Sequence, residues 1–132
     1  MRRDVILPDE DRELYEQFHF GPAVRAGHLL LCAGQIGMDS EGGVPDEPED
    51  EFRNAWRGVG RVLEKAGLGY ENIVEYTTYH VGLHAHLEAF MAVRDEFLRP
   101  PWPAWTAIGI SELAVPGARV EIRVIAASSA TP

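Results

Sequence analysis

Alternation of apolar and charged residues is most regular near the end of the chain, where residues 119–127 are Arg-Val-Glu-Ile-Arg-Val-Ile-Ala-Ala. The even positions are all apolar, and a period of two is typical of a β-strand with one buried face. Arg119, Glu121 and Arg123 fall on the opposite face. The pattern predicts a strand that packs its apolar face against helices and leaves a partly charged face uncovered.

Four more strands are predicted upstream of this run. Residues 22–33 form two short apolar segments on either side of Gly27-His28, which predicts a hairpin. Residues 73–81 are rich in β-branched and aromatic side chains, which favour a strand. Residues 104–112 give the last of the four.

Two helices are predicted between the strands. Apolar residues recur every three or four positions over residues 52–66, just before Gly67, and again over residues 87–98, just before Pro100. Residues 5–20 stay ambiguous, because a short apolar run is followed by charged and aromatic residues without a clear period.

The order of these elements, β-β-α-β-α-β-β, indicates an α/β chain of the α+β type. We expect one domain over residues 1–132, with a mixed sheet of about six strands and two helices on one face. The other face would expose strand residues such as Tyr79 and Val81. An uncovered apolar face predicts that copies of the chain pack against one another.

Composition argues against several classes of protein. Twelve Lys and Arg against 21 Asp and Glu give a net charge of −9, the wrong sign for nucleic-acid binding. The single cysteine, Cys32, allows no intrachain disulfide, and we expect an inert buried thiol. The first residues hold too short an apolar run for a signal peptide, and no run is long enough to span a membrane. We expect a cytoplasmic protein without nucleic-acid or membrane partners.

Several short sequence words occur in an order and at spacings that are specific as a set. They are PAVRAG at 22–27, CAGQIG at 32–37, VLEKAGL at 62–68, IVEYTT at 73–78, PA at 103–104 and VEI at 120–122. In these words the chain resembles the RidA (YjgF, L-PSP) family over nearly its whole length. The resemblance implies a chorismate-mutase-like fold, a homotrimer, and small-molecule sites in three clefts between neighbouring subunits.

The best-known members of that family hydrolyse enamines and imines to a ketoacid and ammonia. By resemblance, Glu121 is the catalytic glutamate that handles the attacking water. The family's proline-alanine-arginine word uses a guanidinium to grip the substrate carboxylate, and the residue at that position here is Trp105. The chain therefore resembles a divergent branch that lacks the carboxylate-binding arginine.

Other polar positions of the family are apolar in this chain. Ala33, Ala107 and Met91 stand where the family has a serine, a cysteine and an asparagine. Such a cleft would suit a small, flat or apolar ligand. Besides Glu121, the residues that the resemblance places in it are Trp105, Gln35, Gly34, Ala33, Phe20, Met91, Thr106 and Ala107.

Trp105 and Glu121 also have purely structural interpretations. Trp105 could pack between subunits without lining a cleft. Glu121 could pair with Arg123, with Arg119 or with a neighbouring chain.

The residues before the acidic loop have alternatives as well. Gly34 and Gln35 could contact a ligand, but a Gly-x-x-Gly spacing is more typical of a simple turn after a strand. Phe18 and Phe20 lie near the position of a cleft-lining aromatic residue of the family. Their register is uncertain, and we expect core packing for both.

Two further motifs carry less weight. His80, His84 and His86 cluster, and two of them have the His-x-His spacing of metal ligands. No further ligand or nearby cysteine completes a set, and we expect no metal site. Gly58 and Gly60 lie inside a helical pattern, so they do not form a dinucleotide fingerprint. Close approach of another backbone would explain them.

Three functions of different classes are compatible with these residues. The first is a non-canonical deaminase-type hydrolase of a small imine, which needs no cofactor. The second is a non-catalytic trimer that binds a small molecule or a protein. The third is an endoribonuclease, and the acidic charge makes it the weakest of the three.

Overall fold

The computed structural model describes residues 2–129, which form seven strands and three α-helices. The strands are β1 (Asp4–Ile6), β2 (Ala23–Ala26), β3 (Leu29–Cys32), β4 (Gln35–Ile36), β5 (Ile73–His80), β6 (Ala104–Gly109) and β7 (Val120–Ala127). The helices are α1 (Arg12–Phe18), α2 (Pro48–Lys65) and α3 (Leu83–Arg94).

All seven strands belong to one mixed sheet, in the order β1-β2-β3-β7-β5-β6, and β4 pairs with the first half of β7. Among the described strands only β5 and β6 pair in parallel, and α3 connects them. Strand β7 pairs with three other strands, β3, β4 and β5. The residues on either side of β7 therefore lie near the middle of the sheet.

The core lies between the sheet and helices α2 and α3. On β7, Val120, Ile122, Val124 and Ala126 are all buried, while Arg123 is exposed. Helix α2 contributes Phe52 and Trp56, which pack edge-on and face-on against Phe90 of α3. These contacts confirm the predicted α+β class and the alternation of the last strand.

Some elements have other bounds than predicted, and three short elements are additional. Helix α3 starts earlier than predicted, directly after Gly82, whose positive φ of 76° suits a residue without a side chain. It also ends earlier, at Arg94, and β6 ends at Gly109. Helix α1 and strands β1 and β4 were not predicted.

A buried ion pair fastens the start of α2 to the start of β7. Glu51 of α2 has no solvent exposure, and its carboxylate accepts hydrogen bonds from the backbone N–H groups of Arg119 and Val120 and from the Arg119 guanidinium. The guanidinium also donates to the carbonyl oxygens of Pro45 and Asp46. Arg119 therefore packs onto α2 and its preceding loop, and its predicted place on the uncovered face was wrong.

Two glycines inside α2 allow close contacts. A Cβ atom at Gly58 would lie 2.7 Å from Oε1 of Gln35, and one at Gly60 would overlap the hydroxyl of Tyr70. The predicted close approach is therefore real, but side chains make it and not another backbone. Gln35 is thereby held against the helix.

Candidate functional site

A cavity of about 860 Å³ opens beside strand β4, which pairs with β7. Residues of helices α1 and α2 both line it. Four residues predicted for the ligand cleft line it: Phe20, Gly34, Gln35 and Glu121. Since this space combines a carboxylate, an amide and aromatic side chains, it is the candidate site.

Glu121 is positioned by Gly34. The two residues lie so close that a Cβ atom at position 34 would overlap the Glu121 carboxylate. The adjacent Gln35 is in register with Ile122, and Ile36 is in register with Glu121. Strand β4, only two residues long, thus fixes both polar side chains of the site relative to β7.

Burial raises the pKa of the Glu121 carboxyl above its ordinary value. No ion pair involves Glu121 within residues 2–129, so the alternative of a pair with Arg119 or Arg123 in the same chain is not realised there. A half-buried carboxyl group with a raised pKa and no charged partner is a suitable proton acceptor at a site.

A second carboxylate faces the cavity beside α1. Asp11 is only 8% exposed, and its Oδ1 atom lies 3.3 Å from the Arg61 guanidinium of α2. Its Oδ2 atom is buried and has no hydrogen-bond partner among the described residues, and the same holds for Nε of Arg61. Neither residue was a sequence candidate, because 50 positions separate them along the chain.

Aromatic side chains form the outer wall of the cavity. Phe18 is 59% exposed and Phe20 is 46% exposed, and both line the space together with Leu14. The expected core packing of Phe18 and Phe20 was therefore wrong. Exposed aromatic side chains beside a carboxylate give the site an apolar rim.

Trp105 lies on the other face of the sheet from Glu121. It is in register with Tyr76, a core residue, whereas Glu121 is in register with Tyr79. Its ring stacks on Tyr76 at a centroid distance of 5.7 Å and lies 6.1 Å from the ring of Phe90. Within one chain, Trp105 therefore packs at the border of the core and does not face Glu121.

Thr78 joins Trp105 to a buried histidine. The indole N–H of Trp105 donates to the Thr78 hydroxyl over 2.9 Å, and the same oxygen shares a hydrogen bond of 2.7 Å with Nε2 of His80. The His80 ring also meets Phe90 edge-on at 4.9 Å. Trp105 is thus fixed by a polar bond as well as by stacking.

The one guanidinium seen against Trp105 in the described chain is that of Arg94. It lies 5.0 Å from the Trp105 ring centroid and 5.9 Å from that of Trp102. Its Nη2 atom is also 3.0 Å from a carboxylate oxygen of Asp95. The charge of Arg94 is therefore already compensated by a carboxylate and by aromatic rings.

Stability should depend on pH through His80. Burial, and secondarily the neighbouring His86, lower the pKa of His80 from 6.5 to about 4. Because the unfolded chain takes up this proton first, the free energy of unfolding should fall by roughly 3 kcal/mol as pH drops from about 6.5 to 4. Urea unfolding at a series of pH values measures the change, and His80→Gln should remove this part of it. The same slope in His80→Gln and in the exposed control His84→Gln would contradict the assignment.

The structure divides the predicted cleft residues into separate groups. Phe20, Gly34, Gln35 and Glu121 share the cavity. Trp105 and Ala107 share the helix-facing side of β6, in register with Tyr76 and Thr78. Met91 is half-buried on α3, Thr106 is exposed on the uncovered face, and Ala33 lies just before the cavity.

Other candidate groups do not form sites in the described part of the chain. Burial raises the pKa of the Cys32 thiol to about 12, which agrees with an inert cysteine. His80 is buried while His84 is exposed, and no three metal-ligating side chains converge within residues 2–129. None of the described helices combines the length and apolar character needed to cross a bilayer.

Comparison with known proteins shows which family the chain belongs to. Residues 11–128 match the family model described as Endoribonuclease L-PSP. The RutC family protein YjgH of Escherichia coli (strain K12) is 32% identical over 127 residues, which covers 96% of this chain and 95% of that protein. The chain is a member of the RidA/L-PSP family.

Other RidA/L-PSP relatives agree in sequence and in fold. A 2-iminobutanoate/2-iminopropanoate deaminase of Capra hircus is 32% identical over 112 residues, which covers 81% of this chain and 78% of that protein. A solved structure of the protein YJGH superposes with a TM-score of 0.87 at 32% identity and covers 96% of this chain and 97% of that chain. The described fold is therefore the RidA fold, with its mixed sheet and covering helices.

Proposed function

We propose that this RidA-family chain is a homotrimer that binds a small imine in clefts between subunits and hydrolyses it with Glu121. The substrate would be an imine without a carboxylate, unlike those in the names of the deaminase relatives. The observation that carries this proposal is Glu121, a partly buried carboxyl group without an ion-pair partner among residues 2–129, which lines an open cavity of about 860 Å³.

The separation of the candidate residues supports an inter-subunit cleft. In one chain the cavity side carries Glu121, while Trp105 and Ala107 lie on the opposite face of the sheet. These groups cannot meet a single small ligand within one chain. A closed ring of identical copies can place one wall from each neighbour in every cleft.

The uncovered face of the sheet supports assembly as well. Leu29, Leu31 and Ile108 are exposed there, and Ile125 lies beside Leu31 in the register of β3 and β7. Exposed apolar side chains on one sheet face favour packing against another copy of the chain. Arg123, on the same face, supplies a charged group that can fix the relative orientation.

The chemistry needs only water and the carboxylate. Glu121 would accept a proton from water as the water oxygen attacks the imine carbon. The attack on the protonated imine gives a carbinolamine, and Glu121 would return the proton to its nitrogen. The carbon–nitrogen bond would then break as the hydroxyl proton passes back to Glu121, which gives a carbonyl compound and ammonia. Because burial raises the pKa of Glu121 toward neutral pH, its carboxylate is a more effective base.

Oligomeric state gives the first test of the proposal. Light scattering after size exclusion should give a mass three times that of the 14.7 kDa chain. Leu31→Glu should yield monomers, because it puts a charge on the uncovered apolar face, while Ala92→Glu on the exposed side of α3 should stay trimeric. A stable monomer of the unmodified protein at micromolar concentration would overturn the trimer.

Activity gives the second test. Imines made in situ from simple amines by an amine oxidase should release ammonia faster with the protein than without it. Glu121→Ala should abolish the acceleration and leave the trimer folded, whereas Glu88→Ala, at an exposed glutamate on α3, should leave the acceleration unchanged. Acceleration that survives Glu121→Ala would assign the chemistry to another group, and a trimer that binds ligand without hydrolysis would be a binding protein.

A further inference from the structure

Trp105 is held by contacts with two different elements. On β5, Tyr76 stacks on its ring at a centroid distance of 5.7 Å, and the two ring planes are 7° apart. Also on β5, the Thr78 hydroxyl accepts a hydrogen bond from the indole N–H over 2.9 Å. From α3, the Arg94 guanidinium lies over the ring, 5.0 Å from its centroid. The indole has little freedom to change its rotamer while these contacts are made.

The bond to Thr78 follows from the register of β5 and β6. Tyr76 and Thr78 are two residues apart and so lie on the same face of the sheet. Trp105 is in register with Tyr76, and Ala107 is in register with Thr78. Thr78 is therefore a diagonal neighbour of Trp105, at a separation that an aromatic side chain can span. Because Ala107 has only a methyl group, it leaves room for the indole to reach the Thr78 hydroxyl.

The hydroxyl of Thr78 is buried and is used twice. Thr78 has no solvent exposure, and the same oxygen shares a hydrogen bond of 2.7 Å with Nε2 of His80. The indole has a single N–H group, which can only donate. If Trp105 turned away, the buried hydroxyl would lose one of its partners, which costs free energy. The position of Trp105 thus depends on a group that lies inside the core, out of reach of a ligand.

Trp105 has no free polar group for a ligand. Its N–H is used by Thr78, and the Arg94 charge over its ring is compensated by Asp95, at 3.0 Å. Apart from this N–H the indole is hydrocarbon, and the residue is half-buried. In the proposed cleft the ring is therefore an apolar wall. The wall can yield to a larger ligand only if the contacts with Tyr76, Thr78 and Arg94 are disturbed.

We propose that Thr78 is a positioning residue that fixes Trp105 as a rigid wall, and that this wall limits the length of the apolar group on the substrate. The inference rests on the proposed function, because it assigns a role to the side of the inter-subunit cleft that carries Trp105. Thr78 itself touches no substrate. Without its hydroxyl the indole loses its polar anchor and yields to longer apolar groups, which the unmodified protein excludes.

Straight-chain primary amides, from propanamide to octanamide, measure the length limit. These uncharged compounds carry oxygen and nitrogen on one carbon, as the carbinolamine does, and calorimetric titration of the intact oligomer gives their affinities. In the unmodified protein, affinity should rise with chain length and then fall at least ~10-fold over one added methylene group, the smallest effect expected of a methylene that does not fit. A smooth rise through octanamide would overturn the proposal without any variant.

Matched threonine variants assign the limit to the hydroxyl. Thr78→Val keeps the shape, and it should raise the affinity for the excluded amides at least ~10-fold and leave that for propanamide unchanged. Thr78→Ser keeps a hydroxyl and should keep the limit. Thr77→Val, at the adjacent position on the opposite face of β5, should change neither affinity. An unchanged limit in a folded Thr78→Val oligomer would make Thr78 a purely structural residue and contradict the proposal.

Fluorine NMR reports the position of the ring without any ligand. Protein labelled with 5-fluorotryptophan contains three such rings, and Trp105→Phe identifies the signal of residue 105. This signal should be sharp in the unmodified protein and in Thr78→Ser, and shifted or broadened in Thr78→Val. The same sharp signal in all three proteins would show that the hydroxyl does not position the ring.

The remaining outcomes separate this inference from the proposed function. If Thr78→Val does not fold, Trp105→Ala removes the wall directly and should lift the length limit. A limit that survives Trp105→Ala would overturn the proposal. If no amide binds the unmodified protein, the inference fails, while the mass measurement and the hydrolysis that depends on Glu121 still decide the proposed function.

Discussion

An imine that carries a carboxylate should be hydrolysed by this protein at least ~100-fold more slowly than by a relative with an arginine at the position of Trp105. Each charge-assisted hydrogen bond contributes on the order of 1.5–3 kcal/mol, and a guanidinium fork makes two. Trp105 offers one N–H group, and it is used by Thr78. The measurement is ammonia release from imines generated in situ by an amino-acid oxidase.

The substitution Trp105→Arg should restore little of that activity. It removes the stacking on Tyr76 and the bond to Thr78, and it brings a second guanidinium close to Arg94. The two like charges would repel each other. Ala107, on the same side of β6, has no polar group that could accept a hydrogen bond from the new guanidinium. Ala107→Cys is the matched control, since it alters a neighbouring family position without adding charge. Rapid turnover of a carboxylated imine by the unmodified protein would contradict the argument from Trp105.

Glu51→Gln should lower the free energy of unfolding by about 1–3 kcal/mol, because it leaves at least one donor of Arg119 or Val120 without its acceptor. The side chain of Glu51 is fully buried and its two oxygens receive three hydrogen bonds from Arg119 and Val120. An amide can accept at one oxygen only, so at least one of these donors loses its partner. Urea unfolding of both proteins at the same subunit concentration measures the difference.

Glu49→Gln is the control for the previous prediction. It removes a negative charge from the same first turn of α2, where acidic residues interact favourably with the helix dipole. Glu49 makes no hydrogen bond through its side chain within the described chain, and its loss should cost less than about 1 kcal/mol. Similar losses for the two variants would show that Glu51 acts through the dipole and not through its buried contacts.

The fold could be predicted wherever burial imposes a period on the sequence. Strand β7 alternates because one side packs against helices, and α2 repeats every three or four residues for the same reason. Helix α1 was missed because none of its residues is buried, so it has no apolar stripe. Strand β4, with two residues, is too short to show any period.

The site was less accessible to prediction than the fold. Position and resemblance suggested Glu121, Gly34 and Gln35, and all three line the cavity. The pair of Asp11 and Arg61 forms only when α1 folds onto α2, and no local pattern in the sequence reports such a contact. The side of the sheet on which Trp105 lies was equally hidden, because β6 has no regular alternation of apolar and polar residues.

The close contact between Gly34 and Glu121 makes the substitutions allowed at these two positions depend on each other. Any side chain at position 34 would collide with the carboxylate, so glycine is required there for as long as Glu121 keeps its place. Loss of the carboxylate would remove that requirement, and a larger residue at position 34 would then block its return. In a descendant that had lost Glu121 and gained a side chain at position 34, no single substitution would restore the pair, since position 34 would have to return to glycine before the glutamate could return.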